Sequence, residues 1–238
     1  MKICLVTTYQ ENIFVPKGIN FIAKKINNTD IVCVPGFSSI KRSIYFLFLL
    51  HFSELVNILQ IKLKKIFSKS IFEKEFTKFD DINSQAFIDL VEKKKYDLIV
   101  SYSCPQIFKG ETINKINELN VELVNFHPGI LPKYRGLFTN FYAKKNSEKE
   151  IGITFHKISK QIDSGPILSI LKISVEDDDT IYNLYRKIYL SENSLNFVVN
   201  SIQNFHQVKK NSQPMNKNSE YNSYPKFIDI LKYRIKNK

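Results

Sequence analysis

Residues 98–126 read Leu98-Ile99-Val100-Ser101-Tyr102, then a helical run from Lys109 to Leu119, then Val121-Glu122-Leu123-Val124-Asn125-Phe126. Two apolar runs of strand length are separated by enough chain for one crossover helix, which is the layout of a parallel strand-helix-strand unit. The same alternation extends upstream. Lys2 to Thr8 reads as a buried strand, Asn20 to Asn27 as a helix, and Asp30 to Val34 as a second strand closed by Pro35-Gly36. From Ser39 to Phe79 the pattern predicts helix, and Ser84 to Lys94 predicts another that leads through Tyr96-Asp97 into the strand at Leu98. Downstream, Ile151 to Ile158 and Ile167 to Val175 read as strands, and Thr180 to Gln203 as one long helix opened by the acidic run Asp177-Asp178-Asp179. The expected fold is α/β: a Rossmann-like, mostly parallel sheet with helices on both faces. Residues 1–205 are expected to form the main domain and 206–238 a short carboxyl-terminal appendage, whose Tyr221, Tyr224, Phe227, Ile230 and Leu231 need somewhere to pack.

Composition narrows the class. The chain has 238 residues, of which 43% are hydrophobic and 24% charged, the balance of an ordinary folded domain. Three widely spaced cysteines, Cys4, Cys33 and Cys104, form no Cys-x-x-Cys or Cys/His cluster, so neither a disulfide framework nor a zinc site is expected. That usage fits a reducing, cytoplasmic compartment. The opening residues carry no basic leader or cleavage site, and the longest apolar run, Ile44 to Phe52, is too short to span a bilayer. Lys plus Arg outnumber Asp plus Glu by 35 to 23, a net charge of +12. The excess is spread along the chain, densest at Lys62 to Lys65 and Lys232 to Lys238, with no nucleic-acid-binding module attached. Charge alone does not choose among nucleic acid, anionic membrane and an acidic small molecule, and a merely solvated basic surface is the plainest reading. With no such module and no spanning segment, neither nucleic acid nor a membrane is the expected partner.

Chemistry concentrates where the strand ending at Phe126 runs into Asn125-Phe126-His127-Pro128-Gly129-Ile130-Leu131-Pro132-Lys133-Tyr134-Arg135-Gly136. Ligands of open α/β sheets bind at the carboxyl ends of strands, and this is such an end. Strand periodicity puts Asn125 and His127 on one face and Phe126 on the other, and Pro128 biases His127 toward extended backbone. A second strand-loop segment, Gly152 to Ile167, carries His156 and then Asp163-Ser164-Gly165-Pro166. An amide, an imidazole and a carboxylate suit acyl transfer to an amine, serving as oxyanion donor, proton acceptor and tuning charge. Spacing alone does not bring them together. Read singly, each residue has a plainer role: Asn125 caps a turn, His127 bonds locally, Asp163 satisfies backbone amides.

Asn125-x-His127-Pro128 followed by Asp163-Ser164-Gly165-Pro166-Ile167 resembles the signature of the folate-dependent formyltransferases, over about residues 80 to 190. The resemblance implies that Asn125, His127 and Asp163 are the catalytic group, without a metal. It implies 10-formyltetrahydrofolate as donor, in a cleft lined by Ser103, Cys104, Pro105, Gln106, Ile107 and Phe108 and by Gln161 and Ile162. Within that family the region after the first strand, Thr8-Tyr9-Gln10-Glu11-Asn12, lacks the glycine-rich phosphate loop of a glycinamide ribonucleotide enzyme. Too little chain follows residue 205 for the barrel domain of the tRNA enzyme.

The branch this chain most resembles is the sugar N-formyltransferases. They act on nucleotide-linked amino sugars, here expected to be dTDP-4-amino-4,6-dideoxyglucose on a route to O-antigen or another surface polysaccharide. The resemblance implies a homodimer, and substrate contacts from Tyr9, Pro128, Gly129, Tyr134, Arg135, Tyr221 and Tyr224. Other amines and a non-catalytic folate-binding module are the alternatives. Arg135 also reads as a brace for the Pro-Gly loop, and His156 as a structural residue.

Overall fold

The computed structural model describes residues 1–8, 14–36, 44–45, 48–66, 74–215 and 220–236. Strands β1 (Ile3–Thr8), β2 (Thr29–Val34), β3 (Phe76–Lys78), β4 (Leu98–Tyr102), β5 (Glu122–His127), β7 (Glu150–Lys157) and β8 (Ile167–Ser174) form one sheet in the order β3-β2-β1-β4-β5-β7-β8. The first five run parallel. β7 is antiparallel to β5, and β8 to β7. The expected mostly parallel sheet is therefore present, with an antiparallel pair closing one side.

Apolar runs make the centre possible. All residues of β1 and β4 are buried, and successive residues alternate faces: Ile3 and Leu5 join one core cluster, Cys4 and Val6 the other. On the first face, α1 (Val15–Lys25) packs against α6 (Ile181–Leu190) and α7 (Glu192–Gln203). On the second, α3 (Gln85–Lys94) packs against α4 (Gly110–Glu118), burying Phe87, Val91, Ile113 and Ile116. Each fully buried aliphatic side chain contributes roughly 1.5–3 kcal/mol.

Three element assignments differ from expectation. α1 begins at Val15, because Pro16 sits in the first turn, where a missing N–H costs nothing. The helical reading of residues 39–79 holds for α2 (Phe52–Ile66) but misses β3, a three-residue edge strand on β2; residues 37–43, 46–47 and 67–73 lie outside the described residues. The single helix expected from Thr180 to Gln203 is two. Ser191 is extended between them and caps α7 by accepting the Ser194 N–H at 3.2 Å, while Thr180 caps α6 by accepting from Asn183 at 3.1 Å.

Beyond α7 the chain continues through α8 (Phe205–Lys210), β9 (Tyr221–Asn222) and α9 (Phe227–Lys236). Phe205, Ile230 and Tyr233 are buried in the first core cluster. β9 pairs in parallel with β6 (Arg135–Gly136) as a separate two-stranded ladder, placing Tyr221 beside Arg135 and Asn222 beside Gly136. Between β6 and β7 lies α5 (Thr139–Lys145). No helix among the described residues is long and apolar enough to cross a membrane.

Candidate active site

The antiparallel register sets the site. Asn125 of β5 lies opposite His156 of β7, and His127 opposite Thr154, so four polar side chains share one patch of the sheet. Phe126 turns to the other face and stacks on Phe155, with ring centroids 4.4 Å apart.

The loop after β5 is clamped from below. Thr154 donates its hydroxyl to the Gly129 carbonyl at 2.6 Å and accepts the Leu131 N–H at 3.0 Å, and Thr139 donates to the Pro128 carbonyl. These bonds bring the Tyr134 carbonyl to 2.6 Å from His127 Nε2. A carbonyl only accepts, so Nε2 carries the proton and Nδ1 is the basic nitrogen of the neutral ring. His127 is buried, 3% exposed, and its Nδ1 faces Asp163 Oδ2 at 3.5 Å.

Asp163 arrives from the loop joining β7 to β8. The Ile158 N–H bonds to the Leu123 carbonyl at 3.0 Å, and Arg135 Nη2 donates to the Ile162 carbonyl at 2.7 Å. Ser159 and Ser164 both donate to the Gln161 carbonyl, at 3.0 and 2.7 Å. Asp163 itself is left-handed, with φ +47°, a region that Asp enters more readily than most residues. Gly165 lets the loop return, since a Cβ there would lie 1.9 Å from the Lys157 carbonyl oxygen. The carboxylate accepts the Gly136 N–H at Oδ2, 2.9 Å, and its Oδ1 lies 3.8 Å from His156 Nε2.

His156 is the member that reading the sequence assigned to structure. It is 1% exposed; its Nδ1 donates to the Lys157 carbonyl at 2.8 Å, and its Nε2 lies 3.2 Å from Asn125 Nδ2. Burial pushes its pKa down to about 4, against the opposing pull of Asp163 and with help from His127, so the ring is neutral at pH 7. The signal that could have found it is cross-strand pairing, legible only once β5 and β7 are known to be neighbours.

Other expected positions separate into groups. In the loop after β4, Gln106 accepts the Ile82 N–H at 2.9 Å and donates to the Asp80 carbonyl at 2.7 Å. The Cys104 thiol, pushed up to about 12 by burial, contacts the Gln106 carbonyl. Ser103 lies 3.4 Å from the Tyr189 hydroxyl, and Ile107 is 57% exposed. Phe108 is buried and packs on Phe87, so its ring belongs to the core beneath that loop. Tyr134 is buried, its hydroxyl is tied to Glu148 and Asn146, and its carbonyl reaches His127.

Arg135 is 4% exposed and braces the Ile162 carbonyl, the plainer of its two expected roles. Tyr224 is partly buried and packs, tilted, against Tyr45 and Phe138, with ring centroids 5.4 Å away in each case. Tyr221 is 45% exposed and close enough to Asp163 and Arg135 for both charges to act on its hydroxyl, whose pKa is raised chiefly by burial. Pro128 and Gly129 form the bend beneath His127, where a Cβ on Gly129 would meet His127 Nε2 at 2.9 Å. Tyr9 lies outside the described residues. Among the described residues, no group of three His, Cys, Asp or Glu side chains is arranged to hold a metal ion. A surface cavity of about 630 Å³, lined by Lys172, Ser174, Lys187 and Asn196 among others, shares no residue with this cluster.

Comparison with known proteins bears on the same region. The family model described as formyl transferase matches residues 54–199, more than half of the chain. The chain is 40% identical over 108 residues to the bifunctional polymyxin resistance protein ArnA of Wigglesworthia glossinidia brevipalpis, covering 45% of this chain and 16% of that protein. It is 32% identical over 102 residues to the dTDP-4-amino-4,6-dideoxyglucose formyltransferase of Mycobacterium bovis, covering 43% and 41%. These matches span less than half of the relatives' own lengths. The fold is shared with the N-formyltransferase from Helicobacter canadensis, solved in complex with folinic acid and dTDP-3-aminofucose. The TM-score is 0.54 at 20% identity, over 96% of this chain and 72% of that one.

Proposed function

The chain belongs to the formyl transferase family, and from that premise we propose that it transfers a formyl group from 10-formyltetrahydrofolate to the amine of a nucleotide-linked amino sugar. The observation that carries the reading is the convergence of Asn125, His127 and Asp163 on one rim of the sheet, with His127 Nδ1 and Asp163 Oδ2 3.5 Å apart. That gap is too long for a direct hydrogen bond and leaves room for a proton in transit. The folate, when bound, supplies an electrophilic formyl carbon. The residues present fit such a group: an amide donor, an imidazole protonated at its far nitrogen and a carboxylate are the donors and acceptors an acyl carbon needs.

Each residue then has a task. Asn125 donates an Nδ2–H to the oxygen that gains charge as the amine attacks. His127 takes the amine proton at Nδ1 while the Tyr134 carbonyl holds Nε2–H. Asp163, pinned by the Gly136 N–H, stabilises the imidazolium that results, and the imidazolium returns that proton to the departing folate nitrogen as its bond to the formyl carbon breaks. The loops holding Ser103 to Ile107 and Gln161 to Ile162 are the proposed folate contacts. Tyr221, Arg135, Pro128 and Gly129 are the residues proposed to border the sugar side, with Arg135 acting through the loop it braces.

The substrate we favour is dTDP-4-amino-4,6-dideoxyglucose, with a product destined for O-antigen or another surface polysaccharide. The M. bovis relative supports that sugar, and the ligands of the H. canadensis protein, folinic acid and dTDP-3-aminofucose, support a folate donor and a dTDP-linked amino sugar. The net charge of +12 suits a diphosphate. The same reading includes a cytoplasmic location, in keeping with free, buried Cys4 and Cys33, and a homodimer. Exposed Phe227, Ile228, Leu231 and Ile235 along α9 support the tail as its interface. The test is purified protein with the folate donor and a panel of dTDP-linked 3- and 4-amino sugars, glycinamide ribonucleotide and methionyl-tRNA, followed by mass spectrometry. A gain of one formyl group on a 4-amino sugar is expected. Formylation of only the tRNA or ribonucleotide overturns the substrate, and formylation of nothing overturns the activity.

A further inference from the structure

We propose that His156 is a positioning residue: a neutral imidazole that accepts one Nδ2–H of Asn125 and thereby leaves the other N–H of that amide to the cleft. The inference rests on the reading of Asn125 as the oxyanion donor.

An asparagine side chain can present either its oxygen or its NH₂ group to a ligand, and the two faces have opposite consequences for a developing oxyanion. What decides between them here is the partner across the strand pair. His156 lies directly opposite Asn125. Its Nδ1 proton is committed to the Lys157 carbonyl at 2.8 Å, so in the neutral ring Nε2 has only a lone pair to offer, and Asn125 Nδ2 meets it at 3.2 Å. With the ring 1% exposed, bulk water has no access to take that place. Asn125 is partly exposed, so its second N–H has a side open to the cleft.

Proton balance at His156 therefore reaches Asn125. A proton added at Nε2 would face the amide nitrogen donor to donor and turn the amide over, presenting Oδ1 to His156. It would also draw the Asp163 carboxylate, whose Oδ1 lies 3.8 Å from Nε2, toward His156 and away from His127. The charged and titratable groups facing the ring are Asp163 from the β7–β8 loop, which favours the cation, and His127 from β5, which opposes it. Burial outweighs both and keeps the ring neutral. A buried histidine serving only to fill space needs neither this tautomer nor this partner.

Two measurements test the inference. In one, His156→Met fills similar volume without a strong acceptor, and His156→Gln restores an oxygen able to accept from Asn125. With the wild type active, kcat of His156→Met should fall by about 100-fold with KM for donor and amine changed less than about 3-fold, while His156→Gln should recover roughly 10-fold of the loss. Equal turnover for His156→Met and wild type, or equal loss in both variants at unchanged melting temperature, overturns the proposal. In the other, long-range ¹H–¹⁵N NMR of the wild-type histidine rings should show His156 neutral with its proton on Nδ1 from pH 6 to 8; a cation or an Nε2–H tautomer at pH 7 overturns it. The NMR result stands if a variant does not fold. It also stands if wild type formylates no amine, the outcome that removes the proposed activity without touching the tautomer.

Discussion

The two sides of the sheet are built on different terms. On the β2-β1-β4 side, parallel strands are buried almost throughout, and their side chains are mostly apolar, with Thr7, Thr8, Thr29, Asp30 and Ser101 as the exceptions. On the β5-β7 side, His127, Thr154 and His156 are equally buried but polar, each satisfied by a named partner, and Asn125 stands at their edge. The first side is held by area removed from water, the second by directed bonds. The reversal of strand direction explains the division. An antiparallel neighbour puts His156 directly opposite Asn125, whereas the crossover on the other side places a helix over each strand instead.

This division can be broken experimentally. The largest effect is expected from His127→Ala: turnover down by about 10³-fold or more in the formylation assay, with the far-ultraviolet circular dichroism of the wild type. Near wild-type turnover would erase the distinction between the two sides. Next is Leu5→Ala in the apolar half, which should cost about 2–5 kcal/mol by urea denaturation while kcat of the folded fraction stays unchanged. A smaller effect is expected on acidification. The folded pKa of His156, about 4, lies below the imidazole's unfolded value near 6.5, so the unfolded chain binds the extra proton in that window. This contribution is fully present above the unfolded pKa and is lost as pH falls toward about 4. Urea midpoints between pH 4 and 7 should show that slope, and His156→Gln should flatten it. Smallest is Gly136→Ala, at about 1–3 kcal/mol, because φ is +89° and a Cβ would lie 2.2 Å from the Asn222 carbonyl oxygen. Turnover should fall with stability there, whereas Gly110→Ala, whose Cβ would meet only the Lys160 side chain at 3.7 Å, should change neither.

The apolar half was legible in the sequence because its code is local. Strand-length apolar runs, the cap at Thr180 and the intervening helical periods each speak for themselves. β3 was not legible: three residues with one apolar side chain carry too little pattern to register. The break at Ser191 was hidden because the apolar period continues through it, and only the extended backbone of Ser191 shows two helices.

At the site, Asn125, His127 and Asp163 stood out as a motif, yet their meeting depends on a register that no spacing encodes. The surroundings of Tyr134 and Phe108 were hidden for a related reason: a tyrosine whose carbonyl reaches His127, and a phenylalanine turned from a loop into the core, look alike in one dimension. His156 needed the strand pairing before its lone pair had an address.

The short β6–β9 ladder carries a consequence for biogenesis. Gly136, which pins the Asp163 carboxylate, is itself seated against residues 221–222, more than eighty positions later in the chain. A ribosome that has released the whole seven-stranded sheet has still not delivered the residues that seat Gly136. Nicking the segment between α8 and β9 should accordingly silence the protein well before it melts, and a maturing chain should gain shape first and reactivity last.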